Sequence, residues 1–492
     1  MTARTEEQPG GPGEEPRGEF AERIKSKYLP PVPYRDLPEP PKSPLKIIGA
    51  SVILAGVSIG SGETVLWPYI TYQVGLVLMW AALVGFLTQY FINMEIERYT
   101  LATGETVVTG FTRMWKPWGI LFVLMAIITN VWPGWGTGAA TLLTFALGFG
   151  NVVYVACAAL VAIGLALTLS PVVYRAVEKI EGVLIAFIVI FLILVLIVGT
   201  NATGWAAFGA SFSHTGQFPP FAAVGGVAAL LGAIAFAGAG GASNLVQSNW
   251  IRDKGMGMGA HIPQLTSPIT GEEQAVASLG YTFRPTEENM RRWKKWWRAA
   301  DIEQFVTFFI LGWATLIIMS VLAYVTVTGQ SLPSEDLAFL HREGEILGQQ
   351  VGNWFKLAFW AAVMTALFST EIAIIDLVGR ITADSLKISF WRGSERVTES
   401  RIYIVIVWLL IAFGCAILLG GFSQPLALLI VSSALGGVMM FIYSILLTMM
   451  NTRYLPKGIR LTGFRFLVML WAIVFFGYFS VQLVIAQFSG GG

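Results

Sequence analysis

The feature that most constrains this chain is a repeated one: apolar stretches about as long as a bilayer is thick follow one another along most of the sequence. A helix needs ~20 apolar residues to cross the hydrocarbon. About eleven stretches qualify, near residues 46–72, 75–97, 118–148, 151–170, 175–199, 222–249, 304–328, 354–376, 401–420, 425–450 and 463–487. They are numbered here as spans 1 to 11. A transmembrane barrel is excluded, because its strands alternate over ~10 residues rather than staying apolar for twenty. Only 13% of the 492 residues are charged and 55% are hydrophobic, where soluble domains carry ~25% charge. That balance excludes a soluble enzyme, a disordered protein and a nucleic-acid binder, and the net charge of +2 steers no partner. The expected class is an all-α polytopic membrane protein whose main partner is the lipid bilayer, with no obligate protein partner evident.

Residues 1–43 differ from the rest. They are rich in Pro, Gly and Glu, and include the run Leu29, Pro30, Pro31, Val32, Pro33. The segment reads as a disordered or polyproline-like cytoplasmic tail. It lacks a basic region followed by a short apolar core, so it does not read as a signal peptide. Cys157 and Cys415 sit inside apolar runs and read as buried free thiols.

Lys and Arg set the orientation. With the N-terminus inside, the inner loops hold Arg98, Arg113, Lys116, Arg175, Lys179, Arg380, Lys387, Arg392, Arg396, Arg401, Arg453, Lys457 and Arg460. The outer loops 200–221 and 420–424 hold no Lys or Arg, and the outer loop 329–353 sets Glu335, Asp336, Glu343 and Glu345 against Arg342. Eleven spans then leave the C-terminus outside, in a plasma-membrane protein. The longest inner loop, 250–303, mixes Trp293, Trp296 and Trp297 with Arg291, Arg292, Lys294, Lys295 and Arg298. That mixture suits a helix lying on the inner headgroups.

Two spans are interrupted by small residues near their middles. Span 1 reads Gly56, Val57, Ser58, Ile59, Gly60, Ser61, Gly62, Glu63; span 6 reads Ala235, Phe236, Ala237, Gly238, Ala239, Gly240, Gly241, Ala242, Ser243, Asn244. They lie five spans apart, and an odd repeat length inverts the second copy. Matched interruptions in two inverted halves point to a transporter's substrate site. Unwound backbone survives at mid-membrane only where it lines a cavity.

On these residues the chain resembles the Nramp metal transporters of the LeuT-like superfamily over about residues 43–490. Further similar motifs are Gln89, Tyr90 and Leu101 to Gly104 in span 2, Arg175 to Ile180 at the start of span 5, and Ser369, Thr370 and Gly379 in span 8. The resemblance implies two inverted five-helix repeats, 44–199 and 222–450, with loop 250–303 inside the second, plus an eleventh helix at 463–487. The family's span-1 motif Asp-Pro-Gly-Asn falls on Gly60, Ser61, Gly62 and Glu63. Its span-6 Met-Pro-His is missing: depending on the anchor, the Met falls on Phe236 or on Gly241. The sequence is similar to a divergent branch with this altered pair of breaks.

The candidate site therefore comprises Gly60, Ser61, Gly62 and Glu63 with Ala233, Phe236, Ala237, Gly238, Gly241 and Asn244. A carboxylate beside a mid-membrane break is costly unless hydrated, paired or ion-bound. Without a thioether, an oxygen-only site built from Glu63, Ser61 and freed span-6 carbonyls suits a hard cation such as Mg or Mn. By the resemblance, Ser369 and Thr370 are candidates for a coupling-Na⁺ site with span-1 carbonyls. Glu371 is a candidate proton carrier, and Asn130, beside Pro133 in span 3, a candidate for lining the path. Glu95 and Glu97 read as inner-face partners of Arg98. The three histidines, His214, His261 and His341, fall in loops. No GxxxxGK[ST] loop for ATP appears. The expected activity is non-enzymatic: ion-coupled symport of a divalent cation with H⁺ or Na⁺. The alternatives are symport of an organic solute such as an amine or amino acid, and a membrane sensor that no longer transports.

Overall fold

The computed structural model describes residues 26–41, 50–271, 279–331 and 337–488. Residues 1–25 of the expected tail, the first residues of span 1, part of loop 250–303, and Glu335 and Asp336 lie outside these. The helices are α1 (Ala50–Ser58), α2 (Trp67–Val74), α3 (Met79–Thr103), α4 (Val107–Met114), α5 (Lys116–Asn130), α6 (Gly134–Leu147), α7 (Val152–Leu169), α8 (Val173–Leu194), α9 (Ala202–Ser211), α10 (Val227–Ala235), α11 (Ala242–Lys254), α12 (Glu287–Glu303), α13 (Leu311–Thr326), α14 (Ala338–Gln350), α15 (Asn353–Phe390), α16 (Glu399–Leu419), α17 (Pro425–Arg453) and α18 (Gly463–Phe488). Among the described residues the β structure amounts to two isolated bridges, Tyr34 with Thr282 and Val172 with Thr266.

Nine helical runs among the described residues are long and apolar enough to cross a membrane. The two expected spans without such a run of their own are the first and the sixth, the interrupted ones. Span 8, α15, forms the central column: 83% of its most apolar window is buried, against 33% for α7, α8 and α16. The outer helices turn Leu165, Val183, Ile190, Val405, Leu409 and Val474 outward, as lipid contact requires. α14 caps the side opposite the cation-rich loops, where Phe339 stacks on Tyr72 at a centroid distance of 6.3 Å.

Three expectations are corrected by packing. The segment 26–41 is not loose. Leu29, Val32 and Leu37 are buried, and the strap is held from two sides. Arg113 donates to the Pro30 carbonyl (2.7 Å), while Arg292 donates to that of Leu37 (2.8 Å) and Trp296 to that of Pro38 (2.8 Å). A proline-rich chain makes few hydrogen bonds of its own, so its carbonyls remain open to side chains from elsewhere. Second, α12 does not lie apart on the headgroups. It continues through a π-helical turn, Gln304–Ile310, into α13, forming one run of 40 residues. Trp293 and Trp296 are buried in protein, and Trp297 lies under the Arg98 guanidinium at 4.2 Å. Third, Arg380 is no loop cation. It is buried in α15, pairing with Asp376 (2.7 Å) and Asp253.

Candidate functional site

The two interruptions are wound differently. Span 6 is open: α10 ends at Ala235, and Gly238, Gly240 and Gly241 have φ of 116°, 61° and 56°. L-residues with a side chain rarely adopt that region, so these glycines are what permits the break. Span 1 is not unwound. After a turn at 59–60 it continues as the π-helical segment Gly62–Leu66 and then as α2. Its main chain stays internally bonded, with Thr64 donating both its N–H (3.1 Å) and its hydroxyl (2.6 Å) to the Gly60 carbonyl. The expectation of two non-helical breaks therefore holds for span 6, and is corrected for span 1 to a widened turn. π-bulges occur often at functional sites.

The two segments touch. A Cβ on Gly62 would lie 1.8 Å from the Phe236 carbonyl oxygen, so only glycine fits. Glu63 follows at once, fully buried. Its Oε1 accepts from the Gly238 N–H at 3.0 Å and, more weakly, from Ser58 at 3.4 Å, while Oε2 is buried with no hydrogen-bond partner. Ser61 accepts from the Trp135 indole at 2.9 Å, and that indole faces Phe236 at a centroid distance of 6.1 Å.

Three of the span-6 carbonyls expected to ligate a cation already have donors. Trp67 donates to Ala233 (2.8 Å), and Gln89 donates to Ala235 (2.7 Å) and Ala237 (2.8 Å) while accepting from the Gly240 N–H (2.9 Å). The freed main chain is thus partly stitched by side chains of α2 and α3. Among the described residues no three His, Cys, Asp or Glu side chains converge as a metal-holding group. Gly241 packs against Gly436 of α17, where a Cβ would lie 2.9 Å from its Cα. Asn244 is turned away from Glu63 and donates to Asn93 at 2.5 Å.

The span-8 candidates separate. Thr370 bonds back to the Ala366 carbonyl of its own helix (3.0 Å), as membrane threonines often do. Ser369 donates to Glu181 of α8. Glu181 is wholly buried, and its Oε1 has no hydrogen-bond partner. A Cβ on Gly56 of α1 would lie 2.1 Å from its other oxygen. Ser369 thus meets both Glu181 and span 1, its Oγ lying 3.2 Å from a Cβ built on Gly56, while Thr370 is engaged by its own helix. Glu371 accepts the Gly136 N–H at 2.9 Å. Span 3 is itself broken, and Gly136 lies in the first turn of α6, where a helix presents unpaired N–H groups and a positive dipole. Asn130 shares a water-sized cavity with Glu371, Pro133, Leu160 and Gly414, while its amide donates to Ala126 (2.9 Å) and Thr129 (2.7 Å).

Sequence reasoning missed Gln89, Trp67, Trp135 and Glu181. The signal was present for two of them, since Gln89 and Glu181 are polar interruptions of apolar runs, which default to function.

At the level of sequence, no family model and no curated protein matches the chain. Solved structures do. A variant of the manganese transporter of Eremococcus coleocola superposes with a TM-score of 0.61 at 13% identity, over 93% of this chain and 91% of that one. The same transporter bound to an aromatic bis-isothiourea compound gives 0.58 at 12% identity, over 94% and 89%. MhsT in complex with L-phenylalanine gives 0.52 at 14% identity, over 92% and 99%. At such identities the likeness concerns the fold, and it establishes for this chain the LeuT-like arrangement of membrane helices.

Proposed function

We propose that this protein is a secondary active transporter that works by alternating access, with its central site between the widened turn of span 1 and the break of span 6. The observation that carries this is Glu63: a fully buried carboxylate with one oxygen held by Gly238 and the other without a partner. Buried anions call for a partner, and a passing cation supplies one. The cargo is a small cation, first of all a divalent metal ion of the Mn or Mg type. The likeness to a manganese transporter supports this, as do the oxygen-only side chains of the site. Glu181 and Glu371 are the candidate carriers of a coupling proton, each a buried carboxyl contacted by a single donor, Ser369 or Gly136. The cation-rich face, with the strap, is cytoplasmic, and the C-terminus is external.

A second reading, symport of an organic amine, is favoured by the aromatic wall of Trp135 and Phe236 beside a single carboxylate. One carboxylate balances one positive charge, and aromatic faces attract alkylammonium groups. Liposome flux under an imposed proton or sodium gradient separates the readings. Mn²⁺ or Mg²⁺ uptake lost in Glu63→Gln supports the first. Amine uptake that Mn²⁺ does not inhibit supports the second. Binding without flux of either kind overturns transport and leaves a sensor.

A further inference from the structure

Along α3 the residues Gln89, Asn93 and Glu97 are spaced by four, so they share one helix face. All three are fully buried. Facing them on α11 are Asn244 and Gln247, also fully buried, and from the π-helical turn before α13 comes Gln304. The contacts form a chain. Gln89 grips both sides of the span-6 break. One turn on, Asn93 accepts from Asn244 at 2.5 Å. One turn further, Glu97 accepts from Gln247 at 2.8 Å and from Gln304 at 2.9 Å, both on the same oxygen. A polar seam thus runs from the central site toward the cation-rich face.

The seam is under-satisfied. Asn93 Nδ2, Asn244 Oδ1, Gln247 Oε1, Gln304 Oε1 and Glu97 Oε2 are all buried without a hydrogen-bond partner. Buried polar atoms are almost always paired with protein or water. Five orphans along one line mark a place where water or an ion belongs. Packing glue between membrane helices uses polar pairs too, but it closes them. Glu97 also departs from the expected pairing with Arg98, whose guanidinium is taken by Glu95 at 2.7 and 2.9 Å. Asp301 and Glu303 add further negative charge near Glu97.

We propose that this seam is the hydrated route by which a cation passes between the central site and the cation-rich face, with Asn93 and Asn244 as its waist and Glu97 as its inner binding group. The proposal deepens the transport reading and takes its direction from it. Its test reads access rather than flux. In a background with Cys157 and Cys415 replaced by Ala, single cysteines at Asn244, Gln247 and, as a buried control beside the seam, Ile92 are exposed in sided vesicles to small impermeant thiol reagents, one cationic and one anionic. The expected result is labelling at Asn244→Cys and Gln247→Cys from the cation-rich side, at least tenfold faster with the cationic reagent, and none at Ile92→Cys. Adding Glu97→Gln to Gln247→Cys should bring the two rates within about threefold of each other. Equal labelling at all three positions, or none at the two seam positions, overturns the proposal. So does a rate ratio that ignores Glu97→Gln. If a cysteine variant does not fold, a high-resolution map of the unaltered protein decides: density for water or an ion within ~3 Å of Asn244 Oδ1 is expected, and a dry seam refutes the route. A labelled seam in a protein that moves neither metal nor amine would count against transport and not against the seam.

Discussion

Replacing Gln89 with Leu tests whether side chains from α2 and α3 hold the span-6 break together. The side chain is fully buried, and three of its bonds end on main chain: 2.7 Å to Ala235, 2.8 Å to Ala237 and 2.9 Å from Gly240. Leu nearly preserves the volume and removes all three. Each main-chain group left unpaired in a dry site costs about 1–3 kcal/mol. The three sum to an upper range of about 3–9 kcal/mol, and relaxation around flexible glycines should bring the loss to the low end, about 3 kcal/mol. For a protein whose net stability is typically ~5–15 kcal/mol, that is a large fraction. The matched control is Gln349→Leu on the exposed side of α14, where surface substitutions stay within about 0.5 kcal/mol. Denaturant titration of both purified variants in the same detergent, followed by tryptophan fluorescence, gives the difference. If Gln89→Leu unfolds at the same denaturant concentration as Gln349→Leu, the carbonyls of the break do not depend on Gln89 and the stitched-break account is wrong.

The other expectations are more compact. Gly62→Ala should abolish the folded, monodisperse protein, because its Cβ would lie 1.8 Å from the Phe236 carbonyl oxygen. Gly136→Ala should be tolerated, since its nearest contact is an ordinary 3.5 Å; equal behaviour of the pair in size-exclusion chromatography would sink this contrast. Burial pushes the Glu343 carboxyl on α14 up to about 8, against the Thr326 hydroxyl, which pulls it down. The folded state therefore keeps a proton that the unfolded state gives up above ~4.5, so stability falls as pH rises from about 4.5 to about 8 and levels off beyond. Glu343→Gln should flatten that slope in melts taken across the window. Trp296→Phe removes the indole donor to Pro38 at 2.8 Å while keeping the ring. Losing about 1 kcal/mol there should raise cleavage within 26–41 by limited proteolysis about fivefold.

The spans and the two interruptions that meet beside Glu63 were legible because both rest on local patterns: apolar length for the first, paired glycine clusters beside an acid for the second. Glu63 sits where the sequence put it. The winding of span 1 was not legible. Gly60, Ser61 and Gly62 permit both an unwound and a π-helical path, and the choice falls to contacts with Phe236, more than 170 positions away. Gln89 and Glu181 stood out as polar interruptions, yet their partners lie on other helices, so no spacing rule names them. The strap failed for a related reason. Proline-rich composition predicts that a segment cannot fold alone, and that remains true of 26–41. It is ordered by Arg113 on one side and by Asn289, Arg292 and Trp296 on the other.

These bonds also decide where the molecule can bend. On one side of the break, Trp67 of α2 holds Ala233 of α10, so the outer halves of spans 1 and 6 are tied to each other. On the other side α11 is welded to α15 and α16. Arg252 pairs with Asp384 (2.8 Å) and Glu399 (3.0 Å), Arg380 joins Asp253 to Asp376, and Asp376 also accepts from Trp250 (3.0 Å) and Tyr403 (2.8 Å). Separating a buried charge from its partner costs about 3–5 kcal/mol, and this network holds several such pairs. Motion that left it intact would instead fall on residues 236–241. There three glycines already occupy φ values open to either hand, and the ties are the neutral bonds to Gln89 together with the Gly238 bond to Glu63. On the transport reading proposed above, a cation arriving at Glu63 would meet the free Oε2 and draw charge away from the Oε1 that holds the Gly238 N–H. Cargo binding and the hold on the break would then be coupled through one side chain, because the carboxyl that would neutralise the cargo is also a clasp on the break.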